Sequence, residues 1–476
     1  EFQDTSRIQW ENFRPLIRES NDNGRENLLV GDVKQSIYRW RGSDWNMMDS
    51  EVQEEFPDSV VQTLKGNYRS LGGIVEFNNG FFHYASKLLD GLYGEGGRVS
   101  RIYFDTGEDE GQKVMCKDSA RGFVEAVFCG QEDELQTVLD TISKVHGKGA
   151  RYGDITILVR NNEQGSQVAE FLIANSIKVI SDDSLRLRSS VVVRQLVSLL
   201  SSAGSDPDPV GSYLAEELGI DTEKISCLSL YDLCESILRL VRRRDEATFD
   251  SEARYIQSFM DLVREYSSRN GNEPGGFIKT WEESDPKISS PSDPDSVRVM
   301  TIHKAKGLEF GYVIFPFAER TGLFRAESHW VRPDTVGTEL DGLLDGVYHV
   351  HLQDPANDNT LFLDAAKKDQ LLQYIDNINT FYVALTRAIY GMTVISSMPP
   401  EKCVSAVEGG ASFAFSDFSQ ILYSYLVSCD ARGFESEESN GGVRFFKGEI
   451  PLFVQSGDRG ETQEAITVAY PSWPLN

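Results

Sequence analysis

An amide side chain and a group of aromatic and cationic side chains lie close together near the start of the chain. Gln35 follows a short apolar run at residues 28–30 and the turn Gly31-Asp32. Because ligands bind at the carboxyl ends of parallel strands, the Gln35 amide is placed to contact a γ-phosphate. Directly after it come Tyr38, Arg39, Trp40 and Arg41. Unpaired bases stack on such rings for about 1–3 kcal/mol per base, and arginines neutralise the backbone.

A simpler interpretation is that Tyr38 and Trp40 pack within a loop and that the arginines beside them are merely exposed. The position of the group next to Gln35 favours a functional interpretation. A motor that converts hydrolysis into movement along a nucleic acid needs its phosphate sensor and its strand-gripping side chains to be coupled. The spacing therefore predicts a coupled phosphate and nucleic-acid site.

The chain begins with Glu-Phe-Gln-Asp-Thr-Ser, which is similar to the second half of an Asp-Glu Walker B box. The Asp that would bind Mg²⁺ would precede Glu1 and lies outside the sequence. No Gly-x-x-x-x-Gly-Lys-Ser/Thr loop, whose backbone would cradle phosphates, is present either. We therefore expect a fragment that begins within its own active site.

Two arginines could stabilise the charge of a phosphoryl-transfer transition state. Arg69 lies in Asn-Tyr-Arg-Ser, where Ser70 is a plausible N-cap for the following helix. Arg387 lies in Tyr-Val-Ala-Leu-Thr-Arg-Ala, on a predicted helix before a strand at residues 392–395. Taken alone, Arg69 would be interpreted as a surface residue and Arg387 as a salt-bridge partner.

A third segment, Thr301 to Phe310, lies between two apolar runs and reads Thr-Ile-His-Lys-Ala-Lys-Gly-Leu-Glu-Phe. A turn of this composition offers backbone N–H groups and cations to phosphates. Glu309 could accept a hydrogen bond from a ribose hydroxyl. A lone histidine such as His303 is usually structural, and only its neighbours favour a functional role.

Composition limits the class of protein. The 476 residues are enough for about three domains. Lys and Arg number 47 against 74 Asp and Glu, a net charge of −27 that argues against nucleic acid unless one groove collects the cations. The absence of a long apolar run predicts no membrane-spanning helix. Six scattered cysteines without a Cys-x-x-Cys pair are typical of reduced thiols in a cytoplasmic protein.

No metal site is expected. His349 and His351 could share one face of a strand, but no carboxylate or cysteine pattern accompanies them.

Hydrophobic patterning predicts strands that alternate with helices, which is typical of a parallel α/β sheet. The predicted strands are residues 28–30, 123–129, 155–159, 178–180, 297–300 and 392–395, and the helices between them include 74–89, 135–145 and 168–173. Two Asp-Pro clusters, at 205–209 and 290–295, enclose the helical patterns 230–241 and 253–266. A β-hairpin is expected within 322–353, and a surface loop at 435–442.

The five motifs and their order resemble motifs II to VI of the UvrD/Rep superfamily 1 DNA helicases, most closely the AddA/RecB-like helicase-nuclease branch. The resemblance implies an α/β fold of RecA-like P-loop NTPase domains, 1A and 2A, with helical insertions. Residues 1–66 would be a remnant of 1A, 67–204 and 297–400 the two parts of 2A, 205–296 the helical insertion 2B, and 401–476 a C-terminal extension.

The resemblance also implies roles for the motif residues. Glu1 matches the base that activates water, Gln35 the γ-phosphate sensor, and Arg69 and Arg387 the arginine fingers. Gly307 and Glu309 match the ribose contact. The single-stranded DNA contacts would be Tyr38, Trp40, Arg41, Thr301 and His303. The intact protein would use ATP and Mg²⁺ and act on single-stranded and duplex DNA, and a second helicase-nuclease subunit is a further candidate partner.

Departures from the family pattern leave two hypotheses open. Without a phosphate-binding loop, the fragment alone should not hydrolyse ATP or bind ATP and Mg²⁺ tightly. Residues 401–476 carry no Asp…Glu-x-Lys nuclease signature, and Asp376-Asn-Ile-Asn379 replaces the acidic run expected before motif VI. The first hypothesis is part of an ATP-dependent DNA helicase of repair or recombination. The alternative is a non-catalytic, helicase-like DNA-binding or scaffold subunit.

Overall fold

The computed structural model of the protein is built around one large sheet. The structure describes residues 1–93, 97–107, 111–115, 122–181, 186–202, 208–220, 228–284, 286, 295–333, 335, 339–340, 343–344, 346–352, 361–428, 433–439 and 442–451. The strands are β1 Gly66–Asn67, β2 Lys113–Val114, β3 Phe123–Cys129, β4 Ile155–Val159, β5 Val179–Ser181, β6 Val297–Thr301, β7 Phe310–Phe315, β8 Glu327–Val331, β9 Tyr348–Leu352, β10 Ala388–Ser397, β11 Glu435–Ser439 and β12 Gly442–Lys447.

The helices that accompany the strands are numbered α1 to α16 along the chain. They are α1 Arg7–Asp22, α2 Val52–Glu55, α3 Gly72–Tyr93, α4 Arg98–Ile102, α5 Glu134–Gly147, α6 Asn162–Ala174, α7 Val191–Ser202, α8 Pro209–Glu217, α9 Leu230–Arg244, α10 Glu246–Ser251, α11 Ala253–Asn270, α12 Pro274–Glu283, α13 Ile302–Ala305, α14 Leu363–Leu385, α15 Glu401–Glu408 and α16 Phe418–Val427.

Eight strands form the large sheet in the order β11-β12-β3-β10-β7-β4-β6-β5. The six strands from β3 to β5 are parallel to their neighbours, and β12 and β11 extend the β3 edge in antiparallel fashion. Strand β4 is completely apolar apart from Thr156 and buried throughout, as expected for a strand covered on both faces. The predicted α/β class is therefore confirmed.

Hydrophobic cores lie on both faces of this sheet. On one face, α3, α14 and α16 pack against β10 and β7 through side chains such as Phe81, Phe381 and Phe418. On the other face, α5 and α6 pack through Ile142 and Leu172. Helix α14 is buried along most of its C-terminal half and ends directly before β10. This packing fixes the end of α14 at the amino end of β10, next to Arg387.

A separate hydrophobic core holds the helices inserted before β6. It joins α7, α9, α11 and α12 through residues that include Leu196, Ile237, Phe259 and Trp281. Helix α7 packs in this core although it lies before residue 205, where the sequence predicts the insertion to begin. The domain boundaries stay predictions. Most of both Asp-Pro clusters lies outside the described residues.

Most predicted elements are present, with two clear exceptions. Strand β3 and strand β4 occupy the predicted ranges, and β8 pairs with β9 as the hairpin expected within 322–353. The strand predicted at 28–30 is wrong: the segment has no regular secondary structure and is exposed, and Leu28 is 85% accessible. The loop predicted at 435–442 is also wrong, since residues 435–439 form edge strand β11; residues 440 and 441 lie outside the described part.

Among the described residues, no helix is long and apolar enough to cross a membrane. Cys129, Cys234 and Cys403 are free thiols, which agrees with the prediction of reduced cysteines. The cysteines at 116, 227 and 429 lie outside the described residues.

Candidate functional site

The turn after residue 30 is organised by the carboxylate of Asp32. It accepts hydrogen bonds from the Gln35 amide at 2.9 Å and from the Lys34 backbone at 3.1 Å. The Lys34 ammonium is buried and contacts both Asp32 and Asp105 at 2.8 Å. Burial opposes its charged form, but Tyr382, Asp32 and Asp105 together keep the pKa of Lys34 well above its usual value. Gln35 is therefore held in a fixed, charge-balanced turn.

The two predicted finger arginines lie side by side. Arg69 follows β1, and its Nε donates to a Glu309 carboxylate oxygen at 3.0 Å. Its Nη1 donates to the Thr386 carbonyl at 3.3 Å, next to Arg387. Burial lowers the pKa of Arg387 to about 10, and the positive charge of Arg69 acts in the same direction. The sequence-distant motifs of Arg69, Glu309 and Arg387 are thus brought together.

Arg387 is only 1% exposed and is held by the chain around it. Its guanidinium donates to the Val383 carbonyl at 2.9 Å, the Leu308 carbonyl at 3.2 Å and the Thr386 hydroxyl at 3.0 Å. The prediction that Arg387 lies on a helix needs correction, because α14 ends at Leu385 and Arg387 occupies the turn before β10. That turn aims the side chain towards the Leu308 segment.

Gly307 and Glu309 lie in the turn between α13 and β7. Gly307 has a φ of +80°, a left-handed conformation that side chains with a Cβ rarely adopt. This backbone turn presents Glu309 to Arg69, and the Glu309 carboxylate stays largely exposed. Both residues predicted to contact a ribose therefore border the arginine pair.

The serine of the Arg69 motif does not cap the next helix as predicted. Helix α3 begins at Gly72, and the Ser70 hydroxyl instead donates to the Ala388 carbonyl at 2.6 Å. Asn67 instead closes a local turn before α3, where its side-chain oxygen accepts from the backbone N–H groups of Arg69 and Ser70 at 3.0 Å each. These bonds tie the Arg69 segment to the start of β10.

The predicted base-stacking residues form a second group, at the carboxyl end of β6. Thr301 ends β6 and begins α13, which carries His303. The Tyr38 hydroxyl donates to the His303 carbonyl at 2.9 Å, and the Tyr38 and His303 rings lie 5.8 Å apart. Trp40 is 68% exposed and meets the His303 ring edge-on at 6.5 Å. Arg41 lies 4.6 Å over the Trp40 ring.

Cations surround this aromatic group. Lys306 lies 5.1 Å from the centre of the Tyr38 ring and forms an ion pair with Asp4. Burial, together with Arg160, Arg41 and Lys306, lowers the pKa of His303. The lowered pKa favours the neutral form of the imidazole. An exposed indole beside several cations can stack on a base while the cations contact phosphates.

The N-terminal segment contacts the Asp32 turn and Lys306. The Phe2 N–H donates to the Val30 carbonyl at 2.9 Å, which places Glu1 at the end of the 28–30 segment. The Gln3 side-chain oxygen accepts from the Asp32 N–H at 3.3 Å. Glu1 is exposed, and its charge, with that of Asp4, contributes to the raised pKa of Tyr38, after burial. No group of three side chains that could hold a metal ion occurs among the described residues.

Sequence patterns did not identify the side chains of α14 and the end of β4 that hold these segments in place through ion pairs and hydrogen bonds. Asp376 of α14 forms an ion pair with Arg39, and Asn379 donates to the Val33 carbonyl at 2.9 Å. Arg160, directly after β4, donates to Asn377 at 3.1 Å. Two signals were available: Arg160 follows a predicted buried strand, and Asp376-Asn-Ile-Asn379 departs from the family pattern. The pairs made by Asp376 and Asn379 join residues more than three hundred positions apart.

Comparison with known proteins gives two matching family models. The UvrD/REP helicase N-terminal domain matches residues 1–57, and the UvrD-like helicase C-terminal domain matches residues 62–203 and 229–398. Among similar proteins, one of the ATP-dependent helicase/nuclease subunits of Streptococcus thermophilus is 24% identical over 82% of this chain and 39% of the relative.

The ATP-dependent DNA helicase PcrA of Staphylococcus epidermidis and that of Bacillus subtilis are each 22% identical, over 68% of this chain and 49% of the relative. The chain therefore spans less than half the length of these curated relatives.

Proposed function

The chain belongs to the UvrD-like helicase family, and from that premise we propose that it is part of an ATP-dependent DNA helicase of repair or recombination. The observation that carries the proposal is that sequence-distant motifs meet in two groups, which share the segment from Thr301 to Glu309. Arg69, Arg387 and Glu309 form one group, and the exposed aromatic-cationic surface around His303 forms the other.

On the nucleotide side, we propose that the two arginines stabilise the negative charge of the phosphoryl-transfer transition state. Arg387 already lies in a water-poor site, where a preorganised cation stabilises developing phosphate charge more strongly than it would in water. Arg69 is half-exposed, so exchanging its Glu309 contact for a phosphate requires little rearrangement. Gln35 would sense the γ-phosphate, Glu1 would orient or deprotonate water, and Gly307 and Glu309 would face the ribose.

ATP hydrolysis in the intact protein would use Mg²⁺, which stabilises charge on the transferred phosphoryl group. Among the described residues no group of three metal ligands occurs. Because the sequence has no Gly-x-x-x-x-Gly-Lys-Ser/Thr loop, this chain alone is proposed to be inactive as an ATPase.

On the DNA side, Tyr38, Trp40 and His303 form a stacking surface, with Arg41 beside it and Thr301 at the base of α13. Stacking and backbone neutralisation do not require a particular base, so this surface would bind single-stranded DNA with little sequence preference. Such binding suits a translocase, which must pass every sequence.

The deciding experiment measures ATP hydrolysis with and without single-stranded DNA, using the chain with the preceding part of the motor restored. Arg69→Ala is the principal variant, because its side chain is half-exposed and its loss should leave the fold intact. We expect its DNA-stimulated rate to fall by about 10³-fold, as for other arginine fingers. The matched control is Arg243→Ala, an exposed arginine of α9 outside the site.

Stimulated hydrolysis in the wild type that collapses in Arg69→Ala and persists in Arg243→Ala would support the motor. DNA binding without any stimulated hydrolysis in the wild type would favour the alternative, a DNA-gripping scaffold protein. A second helicase-nuclease subunit is proposed as a partner only by analogy with the name of one relative.

A further inference from the structure

Helix α14 contacts Arg387 of the nucleotide group and Arg39 of the segment that carries the DNA group. It runs from Leu363 to Leu385 and ends two residues before Arg387. One turn within it carries Asp376, Asn377 and Asn379, the segment that departs from the acidic run of the family pattern. These side chains are partly or completely buried, and each has a partner outside the helix.

Asn379 fastens the turn that carries Gln35. Its side chain is completely buried, and its amide donates to the Val33 carbonyl at 2.9 Å and to the Ser36 carbonyl at 3.0 Å. Its oxygen accepts from the Tyr103 hydroxyl at 2.8 Å. Both N–H donors are thus used on the two sides of Gln35. A carboxylate of the same shape would have no donor for either carbonyl.

Asp376 fastens the turn that carries Tyr38 and Trp40. It forms an ion pair with Arg39, the one residue between those two rings. Arg39 therefore points inward instead of joining the exposed cations. Asp369, two turns earlier in α14, lies 3.6 Å from the Arg39 guanidinium.

We infer that Asp376 and Asn379 are positioning residues that make α14 the link between the nucleotide group and the DNA group. The inference rests on the proposed function. The segment from Val33 to Arg39 is bound to one helix at both ends, and the turn after that helix carries Arg387. A shift of the Arg387 turn with nucleotide state is therefore transmitted to Trp40, and DNA bound at Trp40 affects the arginine pair in return.

A purely structural role would predict something different. If these contacts only stabilised the fold, their loss would lower the melting temperature and reduce every activity by the same factor. If they transmit coupling, their loss would separate basal hydrolysis from its stimulation by DNA. The ratio of DNA-stimulated to basal ATP hydrolysis distinguishes these cases.

The test uses Asn379→Asp and Asp376→Asn in the intact motor at pH 8. The Asn379→Asp change keeps the shape but sets a carboxylate against two carbonyls. The Asp376→Asn change removes the ion pair while leaving a partly buried, nearly isosteric side chain, so it remains informative if Asn379→Asp fails to fold. Asp364→Asn, at an exposed site in the first turn of the same helix, is the charge-matched control.

We expect basal hydrolysis to stay within about 2-fold in folded variants, and stimulation by single-stranded DNA to fall by about 10-fold, within the usual range of coupling between sites. Asp376→Glu, which restores the carboxylate, should recover stimulation, and Asp364→Asn should not change it. Unchanged stimulation, or an equal fall in both rates, would overturn the inference while leaving the proposed function intact. A wild type without stimulated hydrolysis would overturn the proposed function and the inference with it.

Discussion

The two neighbouring arginines differ in what each contributes to folding. Arg387 satisfies the Val383 and Leu308 carbonyls and is almost fully buried, whereas Arg69 is half-exposed and pairs with an exposed carboxylate. A buried acceptor left without its donor costs about 1–3 kcal/mol, and an exposed ion pair contributes about 0–1 kcal/mol. We expect Arg387→Ala to lower the free energy of unfolding by about 2–4 kcal/mol.

Urea denaturation of this chain checks the prediction, with Arg69→Ala as the neighbouring comparison. The Arg69→Ala change should shift the unfolding free energy by less than about 1 kcal/mol. Equal losses in the two variants would contradict the assigned difference in burial. The comparison also shows why a loss of activity in Arg387→Ala has to be judged against its stability.

Trp40 should matter for DNA binding and very little for folding. Its indole is largely exposed and makes no contribution to the hydrophobic core. Removing one stacking platform costs about 1–3 kcal/mol per base, so Trp40→Ala should weaken single-stranded DNA binding by about 10-fold. Fluorescence anisotropy with a labelled oligothymidylate measures the loss.

Tyr213→Ala is the control, because Tyr213 is an equally exposed aromatic on α8. The affinity of the Tyr213→Ala variant for single-stranded DNA should equal that of the wild type. Both the Trp40→Ala and the Tyr213→Ala variant should melt at the wild-type temperature. An unchanged affinity in Trp40→Ala would remove the aromatic group from the DNA site.

At the scale of elements, the start of α5 carries a buried carboxyl group with a strongly shifted pKa. Glu134 is buried, and this burial, with Glu319 after β7, raises its pKa to about 8. A raised folded-state pKa means that the protonated form is favoured in the folded protein. The stability contributed by this group is complete below about pH 4.5, the unfolded value, and is lost as pH rises through 8.

Glu134→Gln should therefore stabilise the protein at pH 9, by about 2 kcal/mol or more, and have a much smaller effect at pH 5. Chemical denaturation at the two pH values measures the difference. Glu163→Gln provides the control, since Glu163 is an exposed glutamate in the first turn of α6. The same shift at both pH values would contradict the assigned titration.

The strands that could be predicted from the sequence are those buried on both faces of the sheet, because burial requires a continuous run of apolar residues. The apolar runs of β3 and β4 predicted strands correctly because only a covered parallel strand tolerates such runs. The run at 28–30 is equally apolar, but no described strand pairs with it. Edge strand β11, Glu-Ser-Glu-Glu-Ser, was missed because a polar edge strand carries no hydrophobic alternation.

The candidate site divides in the same way. The side chains of the motifs were identifiable because each stands in a short, ordered pattern. The contacts of Asp376 and Asn379 were not, because they depend on packing between residues 337 and more than 340 positions apart. Local sequence shows which residues could bind a ligand, whereas tertiary structure shows which residues hold them in place.

The net charge of the molecule opposes DNA binding, whereas cations collect at the aromatic-cationic surface. The net charge is −27, while Arg41, Lys306 and Arg160 surround His303. Single-stranded DNA gives a slope of about −0.7 per phosphate contact in a plot of log affinity against log salt. If two to four phosphates are contacted at this surface, the slope should lie between about −1.5 and −3.

Arg41→Ala should make that slope shallower by about 0.7, because one phosphate contact is lost. Arg243→Ala, which removes an exposed cation from α9, should change the net charge equally but leave the slope unaltered. Titrations of this chain between about 50 and about 300 mM salt measure both slopes over the range where long-range repulsion is progressively screened. A wild-type slope steeper than about −5, or equal effects of the two variants, would mean that DNA is held across a wider area than the aromatic-cationic surface.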